Sequence, residues 1–76
     1  MNLQYTQHAL MRMKERAVSE REVEEALANI VSQWNDDRNG SVAVTGRCRG
    51  GRELKVWIVG RLPIGNRPKI KSVAWS

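Results

Sequence analysis

A chain of 76 residues has room for one domain with a thin core, and its lone cysteine and lone histidine exclude both an internal disulfide and a protein-only zinc site. The net charge of +5 divides unevenly: residues 1–37 hold four basic against seven acidic side chains, a formal −3, whereas residues 38–76 hold nine basic against Glu53 alone, a formal +8. That field favours a polyanion, in practice nucleic acid, and the absence of any apolar run near the roughly 20 residues that span a bilayer, or of a signal-peptide pattern in Met1–Tyr5, makes the expected location the cytoplasm.

Leu3 to Tyr5 reads as a short edge strand. In the stretch that follows, Leu10, Met13 and Ala17 recur at helical spacing. His8, Arg12 and Arg16 step along by fours and form a slanting polar stripe beside the apolar face. Ala17-Val18 interrupts this pattern, and Ser19 with Glu22 three residues on makes a capping box, so a second helix starts at about Ser19. Val23, Ala26, Leu27 and Ile30, at i, i+3, i+4 and i+7, give it a buried stripe and carry it to about Trp34, with Val18 placed to pack onto Val23. Asn35-Asp-Asp-Arg-Asn-Gly40 is a turn cluster that ends it.

From Ser41 the period becomes two. Val42 and Val44 alternate with Ala43 and Thr45 in one strand, and Leu54, Val56 and Ile58 alternate with Lys55, Trp57 and Val59 in a stronger one. Gly46 to Arg52 between them supplies hairpin glycines, so the two strands are antiparallel. This glycine run is no phosphate loop, because it lacks the following Lys-Ser/Thr and joins strand to strand. Pro63 to Pro68 is a loop, and Lys69 to Trp75 a third strand of ambiguous phase: Ile70 and Ala74 fall on one face, Val73 and Trp75 on the other, unless a bulge intervenes. The expected architecture is a single α+β domain over 1–76, two N-terminal helices packed on a three- or four-stranded antiparallel sheet. A partner chain or a second copy could supply burial that so small a core lacks.

The order His8-Ala, Arg12-Met, Arg16, Val18-Ser19 and Val23-x-x-Ala26-Leu27 resembles a bacterial family, the domains of unknown function numbered 4258, in which a His-Ala-x-x-Arg-Met-x-x-Arg helix, a Val-Ser-x-x-x-Val helix start and three or four strands occupy under a hundred residues. The resemblance implies a RelE-like fold of the kind found in metal-independent ribonuclease toxins, with a zinc-finger or helix-turn-helix antitoxin as cognate partner. It further implies that basic residues on the sheet, here Lys55, belong to the catalytic set. The chain departs from that pattern in placing no tyrosine or histidine on the three main strands.

Cleavage of RNA without a metal or cofactor requires a proton acceptor for the 2′-oxygen, a donor for the leaving 5′-oxygen and positive charge on the phosphate. His8 suits the proton transfers, and Arg12 or Arg16 the phosphate oxygens. The structural alternatives are that His8 caps the first helical turn and that Arg16 pairs with Glu20 or a carbonyl to fix the corner between helices. Arg47, Arg49, Arg52 and Lys55 surround the hairpin, and Trp57 beside them offers a flat ring for a base, so single-stranded RNA is the expected ligand. The rival reading is a non-catalytic basic module that binds nucleic acid or protein. Trp34 and Trp75 read as core or interface anchors, and Cys48 as a hairpin residue whose thiol the flanking arginines could acidify.

Overall fold

The computed structural model describes residues 2–76. The elements run β1 (Gln4–Tyr5), α1 (Gln7–Glu15), α2 (Glu20–Ala28), β2 (Ile30–Asp36), β3 (Ser41–Arg47), β4 (Glu53–Val59) and β5 (Lys69–Trp75). The fold is α+β, and its sheet has five strands in the order β1-β5-β4-β3-β2. The sheet is mixed: β1 lies parallel to β5 and the other pairs are antiparallel. This corrects the expectation of a three- or four-stranded antiparallel sheet.

Helix α1 starts at Thr6, whose hydroxyl accepts from the Ala9 N–H at 2.9 Å. Threonine, and not His8, is therefore the cap. The helix ends by stepping into the left-handed region at Ala17 (φ 53°), with the Val18 N–H donating to the Met13 carbonyl at 2.8 Å and the Ala17 N–H to that of Lys14 at 3.4 Å. That is a Schellman closure with alanine where glycine is usual, and it brings Val18 into the core beside Met13. Helix α2 opens with the expected capping box: Ser19 Oγ accepts from Glu22 N–H at 3.1 Å, and Glu22 Oε1 accepts from Ser19 N–H at 2.8 Å.

The second helix stops at Ala28, six residues short of the position its apolar spacing suggests. Ile30 fits the helical stripe, but Ile30–Asp36 pairs antiparallel with Ser41–Arg47 as an edge strand, and the Asp37–Gly40 segment becomes its hairpin turn. Asn29 closes the helix, its side-chain amide donating to the Glu25 carbonyl at 3.0 Å, and β-branched Ile30 and Val31 favour the extended chain beyond it.

One face of the sheet carries both helices. Ala9, Met13, Val18, Val23, Ala26 and Leu27 meet Val42, Val44, Leu54, Val56, Ile58, Ile70 and Val73 there in one apolar cluster, with Leu62 and Ile64 of the 60–68 loop packed against it. A register shift opposite Trp57 and Ile58 resolves the ambiguous phase of β5, because the extra residue lets Ile70 and Val73 both enter the core. Gly46 lies where α2 comes closest to the sheet: a Cβ there would sit 1.9 Å from the Ala26 carbonyl oxygen. It is a packing residue within β3, whereas Gly50 and Gly51, both at positive φ, make the hairpin turn.

Candidate nucleic-acid interface

The helices leave the other face of the sheet open, and alternation along each strand determines what that face displays. Pairing sets Trp34 of β2 opposite Ala43 of β3, and Ala43 opposite Trp57 of β4. The two indoles thus stand on either side of an alanine, separated by two strand spacings, or about 10 Å. The next row holds Ser32, Thr45 and Lys55, followed on β5 by Ala74. Trp34, Ala43, Thr45, Lys55 and Trp57 line a shallow cleft of about 60 Å³. Ala43 is buried at its floor while Trp34 is 50% exposed. Lys71 reaches over the same face to donate to Ser41 Oγ at 3.1 Å and to the Asn39 carbonyl at 2.8 Å.

The arginines of the hairpin do not gather into one patch. Arg47 continues the open face from β3 but forms an ion pair with Glu53 at 3.1 Å. Arg49 turns toward α2, its backbone N–H donating to Glu25 Oε1 at 3.2 Å, and lines a groove with Asn29, Ile30, Val31 and Arg47. Arg52 lies over the Trp75 ring, 3.8 Å from its centroid. Cys48 is buried between these groups with its Sγ donating to the Glu22 carbonyl at 3.3 Å. Burial raises its pKa, Glu22 and Glu25 raise it further, and Arg52 only partly opposes them, so the flanking arginines do not acidify the thiol.

The stripe on α1 lies in the opposite layer. His8 is exposed near the start of the helix. Arg12 forms an ion pair with Glu15 at 2.6 Å. Arg16 donates to the Val73 carbonyl at 2.6 Å, and the Arg16 carbonyl accepts from Trp75 Nε1 at 2.8 Å. Arg16 thus ties the helix corner to β5 through a carbonyl, its structural alternative to holding phosphate. With the sheet between them, His8 and Lys55 do not converge on one phosphate.

Two residues of the open face escape a sequence reading. Trp34 falls at the end of the expected second helix, although Ser32 and Trp34 alternating with Gln33 and Asn35 after two β-branched residues is a strand signal. Lys71 was hidden by the bulge that reverses the phase of β5.

The family model described as Domain of unknown function (DUF4258) matches residues 5–63, from Tyr5 of β1 through β4. No curated protein and no solved structure matches the chain.

Proposed function

The chain belongs to the DUF4258 family, and on the strength of its open sheet face we propose that it binds single-stranded RNA there. The observation that carries this reading is the row Trp34–Ala43–Trp57 with Lys55 and Lys71 alongside. Two rings of fixed spacing, Trp34 exposed and Trp57 half-buried, can each stack an unpaired base, and cations beside them hold the connecting phosphates. Duplex is the poorer ligand, because its bases are already stacked on one another.

The RelE-like ribonuclease toxin fold that the family resemblance implies makes messenger RNA the expected substrate and a zinc-finger or helix-turn-helix antitoxin the expected partner. The geometry supports the binding half of that function. Among the described residues no histidine or tyrosine lies on the open face, so cleavage there would rest on Lys55 and the arginines, with His8 outside the site.

Titration with single-stranded and duplex RNA, followed by tryptophan fluorescence, tests the proposal. Single-stranded RNA should quench the signal and bind the more tightly. Trp57→Ala and Trp34→Ala should each weaken binding by roughly 5- to 150-fold, the equivalent of about 1–3 kcal/mol per stacked base. Equal affinity of both variants and the parent would remove the open face as the site.

A further inference from the structure

The turn between β2 and β3 contains Asn39-Gly40, and both residues are exposed. The Asn39 backbone carbonyl accepts two hydrogen bonds, from Lys71 Nζ at 2.8 Å and from Ser41 Oγ at 3.2 Å. Lys71 comes from β5, two strands away from β3, and forms no ion pair among the described residues. The Gly40 N–H is held only by the Asp37 carbonyl at 3.4 Å, beyond the usual range of a good hydrogen bond. The side-chain amide of Asn39 donates to Asp36 Oδ2 at 3.0 Å.

A backbone N–H that loses its proton becomes an anion shared with the carbonyl oxygen of the same peptide group. For Gly40 that oxygen belongs to Asn39, so Lys71 and Ser41 donate where the negative charge develops. We propose that Asn39 is a site of self-modification: it deamidates by attack of the Gly40 nitrogen, with Lys71 stabilising the attacking anion. Hydroxide takes the Gly40 proton, and the nitrogen bonds to Asn39 Cγ. The Cγ–Nδ2 bond breaks, and Nδ2 leaves as ammonia with a proton from water, which restores the hydroxide. Water then opens the cyclic imide at either carbonyl, to aspartate or to isoaspartate.

The space around the nitrogen favours this residue over the other asparagines. Gly40 carries no side chain, whereas Asn2, Asn29, Asn35 and Asn66 precede Leu3, Ile30, Asp36 and Arg67, whose side chains crowd the attacking nitrogen. The product also alters the turn. A carboxylate at position 39 faces Asp36 where an amide donated, and isoaspartate adds a methylene beside Gly40, whose carbonyl accepts from the Gly60 N–H at 3.0 Å. Deamidation thus loosens the connection that holds β2, and with it Trp34, against β3. The step is independent of RNA binding.

Incubation of the folded protein at mildly alkaline pH, followed by peptide mass spectrometry and an isoaspartate assay, tests it. Asn39 should be lost ahead of the other four asparagines, as a mixture of aspartate and isoaspartate. Lys71→Met, with its fold confirmed by circular dichroism, should slow that loss about tenfold. This is less than the roughly 100- to 1,000-fold cost of deleting an oxyanion donor from an enzyme site, because Ser41 and water remain as donors. Lys71→Arg keeps a charged donor and should retain most of the rate. In urea, where Lys71 no longer reaches the turn, the parent and Lys71→Met should lose Asn39 equally fast. An Asn39 that stays intact in the folded parent and is lost only in urea would overturn the proposal, because the turn would then protect the amide. A folded Lys71→Met protein that deamidates as fast as the parent, or faster, would overturn it as well.

Discussion

Tyr5 carries a hydroxyl into the protein that has no hydrogen-bond partner among the described residues. Burial, and secondarily the negative charges of Glu20 and Glu24, push its pKa from 10.0 to about 12. The phenol is neutral when protonated, so the folded state holds a proton that the unfolded chain releases. The resulting contribution to stability is complete below pH 10 and is lost as pH rises toward 12. Tyr5→Phe removes both the titration and an orphaned hydroxyl, whose burial costs about 1–3 kcal/mol. Urea unfolding should therefore show the variant at least as stable as the parent at neutral pH, with a flatter decline between pH 10 and 12. A decline as steep as the parent's would assign it to another group, for which the raised thiol of Cys48 is the first candidate.

Two small residues decide how the elements join. Ala17 occupies the left-handed position that closes α1, where a Cβ costs roughly 1–2 kcal/mol. Glycine relieves that strain but gains freedom in the unfolded chain worth about 0.4–1 kcal/mol. Ala17→Gly should thus stabilise by up to about 1 kcal/mol, read as a rise in the urea midpoint at unchanged slope. Gly46→Ala should act in the opposite sense. The added methyl would meet the backbone of Ala26, at 1.9 Å from its oxygen and 2.5 Å from its carbon, and no side-chain rotation can relieve that contact. Separating α2 from β3 disturbs Val23, Ala26 and Leu27 together, so the loss should reach or pass the upper end of the usual 1–3 kcal/mol for overpacking. A Gly46→Ala protein with parental stability would mean that α2 can rise from the sheet without loss.

At the scale of the whole molecule, α2 and the open face of the sheet carry opposite charge. Glu20, Glu22, Glu24 and Glu25 ride on α2, while Lys55 and Lys71 belong to the open face on the other side of the sheet. RNA held on that face should be insensitive to the stripe on α1, so His8→Gln is expected to leave affinity unchanged. Lys55→Ala should weaken binding and reduce the slope of log K against log salt by about 0.7, one phosphate contact on a single strand. Binding isotherms of both variants at several salt concentrations separate the layers. Loss of affinity in folded His8→Gln with none in Lys55→Ala would move the RNA to the helical side.

The sequence by itself determined the start of α2 with its capping box at Ser19–Glu22 and the β3–β4 hairpin, because each depends on residues a few positions apart: a side chain reaching its own turn, or alternation within one strand. It also determined the basic character of the C-terminal half and the pairing of Lys55 with Trp57 on one face, since residues two apart on a strand point the same way. Only the tertiary structure decided the rest. Ile30 satisfies a helical stripe and a strand equally, and the free hydrogen-bonding edge of β3 settles the matter by recruiting Ile30–Asp36 as β2. That choice sets Trp34 and Trp57, 23 residues apart in the chain, on either side of β3. The bulge opposite Trp57 likewise exists only in the pairing of β4 with β5, where the core takes both Ile70 and Val73 and Lys71 is left on the open face. Arg16 looks like a phosphate ligand until β5 brings the Val73 carbonyl to it. Contacts made across long loops leave no periodic trace in the chain, and the open face is built from them.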